Sequence, residues 1–427
     1  MTFITHIRDR LRRAPFITNV LTMLSGTAIA QVIPIAVAPI LTRLYSAEDY
    51  GAYALFLLIS YTISALASLR YEFAIMLPEE EADAASLVAL CFGLALLVSS
   101  IVLTGTVVIR VAGLDVPRAS ALGLSVYLLA PMVLLQSTYQ TLSYWLLRKQ
   151  AFRQLALSRV FRAVAMAGAN IALGIAHAPQ GLVISSLLGQ TAAVFVLVYR
   201  LFREDKAAFK EISRPRALRQ AALHKNFPIF ALPSDLLSTF AQQLPLLLLP
   251  QRLGGYFAFV QNVVNAPLGF IGGAVLDAFK ERATRDYRER GEFRAVFVKL
   301  FQALALATII PTLVLMLFAP ALFAFVFGEA WREGGNLAQI LGLLFCFKFI
   351  ASPLSYSYFV VGRAKEDFFL HVWIVASSAA VLAYGLNVKN SPTAALWAFS
   401  INYALVYVVY LIRSYRFSLG QPGAYKT

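Results

Sequence analysis

Long apolar stretches alternate with short polar breaks along the whole chain. The first half contains four stretches without Asp, Glu, Lys or Arg, and a fifth, 163–199, is broken only by the turn-forming run at 177–181. A helix needs about 20 apolar residues to cross a bilayer, and a water-soluble core does not repeat such stretches many times. The pattern therefore predicts a chain that crosses a membrane repeatedly.

Each half of the chain supplies six predicted spans. Two spans of the second half are each interrupted by one charge, at Asp235 and at Lys348. Backbone groups in lipid must be paired, and the stretches lack the period-two alternation of barrel strands. We predict an all-α integral membrane protein with about twelve transmembrane helices. The predicted spans are 17–42, 51–69, 84–109, 119–147, two within 163–199, 226–251, 253–276, 300–328, 334–362, 368–388 and 390–412.

The two halves also share short sequence patterns. The run TAIAQVIP at 27–34 matches STFAQQLP at 238–245 in spacing, and GAYA at 51–54 matches GYFA at 255–258. Two six-span halves that start on the same side of the membrane predict two six-helix lobes, related as parallel repeats around a central cavity, as in transporters. The predicted parts are a cytoplasmic segment 1–16, an N-lobe 17–202, a basic linker 203–226, a C-lobe 227–413 and a cytoplasmic tail 414–427.

Basic residues fall mainly on alternate breaks. If the N-terminus is cytoplasmic, 30 of the 37 Lys and Arg residues lie on inner breaks and six on outer breaks. Cytoplasmic loops of membrane proteins carry such an excess of positive charge. We therefore expect both termini to be cytoplasmic.

Charge and composition exclude other classes. The net charge of +15 is concentrated in breaks beside the membrane, where anionic lipid is a nearer partner than nucleic acid. Cys91 and Cys346 lie inside apolar spans, and the four histidines lack metal-ligand spacing. The sequence contains no nucleotide-binding or catalytic motif, so we expect a protein that is not an enzyme and that holds no cofactor or metal.

Several runs resemble one family. NVLTMLSG at 19–26, APILTRLYSAEDYGAY at 38–53 and LRYEFAIMLP at 69–78 are similar to the N-terminal signature of the polysaccharide transporter family, the Wzx-like lipid-linked oligosaccharide flippases of the multidrug/oligosaccharidyl-lipid/polysaccharide exporter superfamily. The second lobe adds similar runs at 255–258, 267–275 and 325–331, while the connection 249–254 is shorter than is usual in that family.

The resemblance implies a function and a location. It implies a multi-pass protein of the bacterial inner membrane that moves undecaprenyl-diphosphate-linked oligosaccharide, an O-antigen or lipopolysaccharide precursor, to the outer leaflet by alternating access. The expected partners are this substrate, membrane lipid and polysaccharide assembly proteins, and the expected energy source is a proton or sodium gradient or the downstream removal of the product. Two alternatives stay open: a multidrug/cation antiporter of the same fold, and a membrane glycan polymerase or ligase.

The two charges inside spans are the first candidate site residues. Lys348 either supplies positive potential to a cavity that takes the diphosphate or extends to the membrane surface. Asp235 follows Pro233, which disturbs the helix, and it is a candidate for ion coupling; the alternatives are a partner for Lys348 or an interfacial cap.

Five further residues are candidates for the substrate cavity. Arg70 stands beside an acidic inner break, where it is either a head-group contact or part of a solvated helix end. Arg43 and Arg252 lie at corresponding outer ends of the two lobes, where they either release the diphosphate or extend into the interface. Gln31 and Gln242 occupy equivalent repeat positions, and each either lines the cavity or bonds helix to helix.

Overall fold

The computed structural model describes residues 15–113 and 122–420, and every regular element in them is helical. The α-helices are numbered here in chain order. They are α1 Pro15–Leu44, α2 Ala47–Ser68, α3 Glu81–Val111, α4 Leu129–Arg148, α5 Phe152–Ile175, α6 Gly181–Glu204, α7 Arg214–Leu223, α8 Leu232–Leu248, α9 Gln251–Arg290, α10 Arg294–Phe327, α11 Arg332–Leu354, α12 Ser357–Val360, α13 Ala364–Ala383 and α14 Pro392–Ser418.

The predicted spans correspond to long helices, and the all-α membrane fold is confirmed. Within the described residues, nine helices are long and apolar enough to cross a membrane. Three further predicted spans correspond to α4, α8 and α9. Polar side chains make α4 less apolar, α8 has only 17 residues, and α9 carries many charged residues. The protein is therefore a multi-pass membrane protein.

Local sequence explains where helices begin and end. Ser46 and Asp49 form a reciprocal capping box at the start of α2, with the Ser46 amide 2.9 Å from the Asp49 carboxylate. The break predicted at 177–181 is confirmed, because α5 ends at Ile175 and α6 begins at Gly181. His177 and Gln180 both adopt the left-handed conformation there, which turns the chain back.

Two helices extend furthest beyond their predicted spans. α5 begins at Phe152 rather than near residue 163, so Arg159 and Arg162 belong to the helix and not to a loop. α9 has 40 residues, a length of about 60 Å at 1.5 Å per residue, against roughly 30 Å of hydrocarbon. Most of the predicted inner break 277–299 is therefore helical.

The chain divides into two compact units, Met1–Leu236 and Leu237–Thr427. This division falls inside α8, so the first turn of that helix, with Asp235, belongs to the first unit. The predicted lobe and linker limits stay a prediction. Residues 1–14 of the predicted N-terminal segment, 421–427 of the predicted tail and 119–121 of the predicted fourth span lie outside the described residues.

Close helix packing in the first unit depends on small residues. α5 packs against α6 and α1. A methyl group added at Gly26 of α1 would lie 2.5 Å from the Ala156 side chain of α5, so only glycine permits this approach. Gly189 of α6 has the same role, because an added carbon would lie 3.0 Å from the Arg162 carbonyl oxygen. Small residues commonly permit such close contacts between membrane helices.

The second unit is held by buried aromatic rings. Phe259 of α9 packs on Trp331 with ring centroids 4.3 Å apart and on Phe327 at 5.0 Å. Nearer the other end of α9, Phe279 packs against Phe293, which directly precedes α10, and against Phe297 of α10. Except for the tilted Phe259–Trp331 pair, these rings pack edge to face, an arrangement that contributes about 0.5–1.5 kcal/mol per pair beyond the buried area.

Candidate functional site

A charged cluster surrounds Arg70 in the first unit. The Arg70 guanidinium donates to Glu72 at 3.1 Å, to the amide oxygen of Gln140 at 3.4 Å, and to Asp235 in a short ion pair. Phe73 lies beneath the same guanidinium, 5.2 Å from its carbon to the ring centroid. One cation therefore joins a segment between α2 and α3, helix α4 and the start of α8.

The backbone presents Arg70 in an unusual way. Leu69 and Arg70 have φ angles of 50° and 60°, so two consecutive residues with side chains adopt the left-handed conformation. Each such residue costs roughly 1 kcal/mol or more, and the cost is tolerated where surrounding contacts fix it. Here the ion pairs supply those contacts and hold the guanidinium against Glu72 and Asp235.

The charges of the cluster compensate one another. Burial lowers the pKa of Arg70, but the hydrogen bond and charge of Asp235, followed by Glu72, raise that pKa above its ordinary value. Arg70 is therefore protonated at any physiological pH. Glu72 is completely buried, and within the described chain its Oε2 atom has no hydrogen-bond partner. The neighbouring cation offsets the free-energy cost of burying a carboxylate of this kind.

Lys348 forms a different kind of site in the second unit. Its Nζ atom donates to the amide oxygen of Gln242 at 3.3 Å and to that of Asn265 at 3.5 Å. In the described part of the second unit, no carboxylate forms an ion pair with this ammonium group. Neutral amide oxygens orient Lys348 and leave its charge uncompensated.

A cavity of about 210 Å³ adjoins Lys348. It lies within the second unit, between α8, α11, α13 and α14, and it is lined by both polar and aromatic side chains. Gln242 and Lys348 lie on its wall together with Asp367 and His371 of α13. The positive charge of Lys348 is therefore accessible from a polar space, which a membrane-spanning lysine requires.

Tyr410 connects two titratable groups in the same cavity. Its hydroxyl donates to the Asp367 carboxylate at 3.0 Å and lies 3.2 Å from Nδ1 of His371. Tyr403, Tyr407 and Tyr410 follow one another at helical spacing on α14, which places them on one face toward the cavity. The sequence did not reveal this group, because Tyr410 and Asp367 are 43 residues apart.

The structure gives the partners of the remaining predicted residues. Asp235 is paired with Arg70, whereas the sequence also allowed a pair with Lys348. Arg43 is exposed and donates to the Pro39 carbonyl of its own helix. Arg252 contacts Glu333 at 3.4 Å and the Tyr256 ring. Gln31 is half-buried in α1. Thus Gln242 and Lys348 are brought together, as are Arg70 and Asp235, and their roles in transport stay predictions.

The described residues contain no group of three or more His, Cys, Asp or Glu side chains suited to hold a metal ion. Asp367 lies directly before the predicted span 368–388, within the helix segment 365–388 that is apolar enough to cross a membrane. The local signal for Asp367 was its i, i+4 spacing to His371 within α13. Spacing alone gave no reason to place either side chain in a cavity.

Known proteins share both a sequence family and a fold with this chain. Residues 40–334 match the family described as polysaccharide biosynthesis protein. No curated protein matches. Arg70 and Asp235 lie inside the matched segment, and Lys348 lies beyond it.

Solved structures of similar fold are transporters. The lipid II flippase MurJ in an inward closed conformation is 14% identical, with a TM-score of 0.64 over 93% of this chain and 90% of that one. A MATE protein in complex with MaL6 is 11% identical, with a TM-score of 0.62 over 95% of this chain and 96% of that one. A MOP superfamily transporter from Pyrococcus furiosus Vc1 (DSM3638), described by a binding pocket of reverse polarity, is 12% identical, with a TM-score of 0.60 over 94% and 95%.

At these identities the similarity shows the fold alone, and that fold is the transporter fold shared by MATE proteins and MurJ. The family match extends over more than half of the chain and agrees with the resemblance carried by the runs at 38–53 and 69–78. This protein therefore belongs to the polysaccharide biosynthesis protein family.

Proposed function

We propose that this protein is a flippase that moves undecaprenyl-diphosphate-linked oligosaccharide from the inner to the outer leaflet of the bacterial cytoplasmic membrane by alternating access. Family membership and the fold shared with the lipid II flippase support a lipid-linked substrate. The observation that carries the proposal is Lys348, a cation in a membrane span that is oriented by amides and open to a cavity.

The chemistry of the substrate explains why such a cation is needed. A diphosphate joined to sugars cannot enter hydrocarbon without a large desolvation cost, so the transporter must replace water with polar groups. A lysine inside a span is itself costly unless it faces water or a partner. An uncompensated ammonium group beside a cavity offers the anion a partner, and the anion lowers the cost of the buried lysine.

The proposed reaction is transport without covalent change, so no catalytic residue or cofactor is required. Directional movement then depends on an ion gradient or on removal of the flipped lipid by assembly proteins outside. For ion coupling we nominate Asp235, because its half-exposed carboxylate is within reach of an entering proton or sodium ion and is paired with Arg70. An ion bound to Asp235 would release Arg70 from this carboxylate. The resulting change in the cluster would couple the ion gradient to transport.

One observation favours a second function. Asp367 places a carboxylate in the same cavity as Lys348, and an organic cation would bind a carboxylate surrounded by tyrosine rings. This arrangement is the one expected of a multidrug/cation antiporter. The two functions differ in which charge contacts the substrate.

The test replaces each charge and measures transport of each substrate class. Lys348→Ala should abolish surface glycan in a strain that depends on this protein, and Lys348→Arg should retain part of it. The protein content of the membrane should stay normal, since no carboxylate in the described part of the second unit is paired with Lys348. Lys389→Ala removes an exposed lysine and serves as the matched control.

Normal surface glycan in Lys348→Ala would contradict the proposed function. If Asp367→Asn abolished export of organic cations while Lys348→Ala left both activities unchanged, the antiporter would be the better description. Purified protein in vesicles provides the direct measurement, because labelled lipid-linked oligosaccharide in the outer leaflet can be counted after addition of a membrane-impermeant reagent.

A further inference from the structure

Two arginines lie well inside helix α5 of the first unit. At 1.5 Å per residue, Arg159 and Arg162 lie about 10 and 15 Å along the helix from Phe152. α5 is long and apolar enough to cross a membrane. Charged side chains at such positions are costly and normally face water, a partner or a ligand.

The side chains that contact Arg162 are aromatic. Its Nη2 atom donates to the Tyr61 hydroxyl at 3.2 Å, and its guanidinium carbon lies 5.9 Å from the centroid of the Tyr139 ring. Tyr53 of α2 is close enough to interact electrostatically with both Arg162 and Tyr61. A guanidinium has five N–H donors, so most of the donors of Arg162 are available to a ligand.

Arg159 is held in place by helix α1. Its Nη1 atom donates to the Thr27 hydroxyl. The close approach of Gly26 to Ala156 brings α1 near enough for this contact. Gln31 lies one helical turn beyond Thr27 on the same face of α1.

Neither arginine is neutralised. Among the residues that the structure describes, no carboxylate forms an ion pair with Arg159 or Arg162, in contrast to Arg70 with its two carboxylates. Both side chains are half-buried, so each combines partial desolvation with access. Residues three apart on a helix lie on one face, with about 5–6 Å between their Cβ atoms.

We propose that Arg159 and Arg162 form a binding site for a diphosphate group, with Tyr61 and Thr27 as positioning residues. The inference rests on the proposed function, because it identifies the part of that substrate which the first unit binds. Guanidinium groups bind phosphate oxygens in bidentate pairs, and two of them on one helix face match two adjacent phosphates. A diphosphate presents more negative charge and more acceptor oxygens to the two guanidinium groups than a monophosphate does.

The test measures binding to the full-length protein in nanodiscs of zwitterionic lipid. Three probes are compared: undecaprenyl diphosphate, undecaprenyl monophosphate and inorganic pyrophosphate. Arg159→Ala and Arg162→Ala should each weaken binding of undecaprenyl diphosphate by about 10-fold or more, as expected for loss of a charge-assisted hydrogen bond. Arg162→Lys should recover part of the affinity, because it keeps the charge without the bidentate geometry.

Controls separate this site from general attraction of lipid. Arg153→Ala removes an exposed arginine from the first turn of the same helix and should bind undecaprenyl diphosphate normally. The two site variants should lose much less affinity for undecaprenyl monophosphate than for the diphosphate. Competition by inorganic pyrophosphate would locate recognition in the phosphates alone, and absence of competition would show that the lipid-borne diphosphate is required.

Two results would overturn the inference. One is normal binding of undecaprenyl diphosphate by Arg159→Ala and Arg162→Ala in protein of unchanged thermal stability. The other is equal loss of affinity for the monophosphate and the diphosphate, which indicates attraction of any anionic lipid. Failure of the proposed function has a different signature, since wild-type protein would then bind none of the undecaprenyl lipids.

Discussion

The Arg70 cluster of the first unit and the Lys348 site of the second each contain a cation on or beside a membrane helix. The partners of Arg70 are acidic, whereas those of Lys348 are neutral. Arg70 is bonded to two carboxylates, one of them fully buried. Lys348 is bonded to two neutral amides and adjoins a cavity. The first arrangement fixes local structure, whereas the second keeps positive potential available.

The difference indicates which substitutions should affect stability and which should affect transport. A carboxylate that is buried next to one cation becomes very costly when the cation is removed. Amide oxygens that lose a lysine are affected less, because they are neutral and because Gln242 adjoins a polar cavity. Substitutions at Arg70 should therefore reduce folding, and substitutions at Lys348 should reduce transport.

The largest expected effect is that of Arg70→Ala. The free energy of unfolding should fall by about 3–5 kcal/mol, because Glu72 is left as an uncompensated buried charge. Thermal unfolding of the purified protein and its abundance in membranes are the measurements. Lys348→Ala, measured in parallel, should change stability much less.

A second substitution checks the cause. Glu72→Gln in the Arg70→Ala background should recover much of the lost stability, because it removes the carboxylate that Arg70 compensates. If Arg70→Ala alone leaves stability and abundance unchanged, the cluster does not contribute to the fold and the contrast with Lys348 fails.

The sequence predicted the helices far better than it predicted the sites. Twenty-residue apolar stretches identify spans because burial in lipid demands them, and the turn at 177–181 was visible from its Pro and Gly. The start of α5 was misplaced because a count of charges assigns the segment that contains Arg159 and Arg162 to a loop. In the structure they are helical residues whose cost is reduced by Thr27 and Tyr61.

Partners distant in the chain could not be predicted. Asp235 and Lys348 were noticed because a charge in an apolar span is exceptional. Nothing in the sequence selects Arg70, which is 165 residues from Asp235, as its partner. Tyr410, Asp367 and His371 looked ordinary because tyrosines are common in membrane helices and an acid at a helix start is favoured by the helix dipole.

An intermediate effect is expected from the tyrosines on α14. Tyr410→Phe should lower stability by about 1.5 kcal/mol, because its hydroxyl donates to the charged carboxylate of Asp367. Tyr403→Phe should be neutral or stabilising, since the Tyr403 hydroxyl is buried and has no hydrogen-bond partner among the described residues. Thermal unfolding of both variants, with Tyr407→Phe as a second control, gives the comparison. A greater loss in Tyr403→Phe than in Tyr410→Phe would contradict this description of the cavity.

The smallest expected effect on stability is that of Asp235→Asn. Its carboxylate is 42% exposed, and Glu72 continues to compensate Arg70, so the free energy of unfolding should fall by only about 0.5–1 kcal/mol. Transport should respond differently, because an amide cannot take up a proton or bind sodium as a carboxylate does. Reconstituted Asp235→Asn protein should still bind lipid-linked oligosaccharide but should lose the stimulation of flipping by an ion gradient. Glu329→Gln, which neutralises an exposed acid of the second unit, is the control and should retain that stimulation. Gradient-stimulated flipping that persists in Asp235→Asn would remove this residue from coupling and leave it as a structural partner of Arg70.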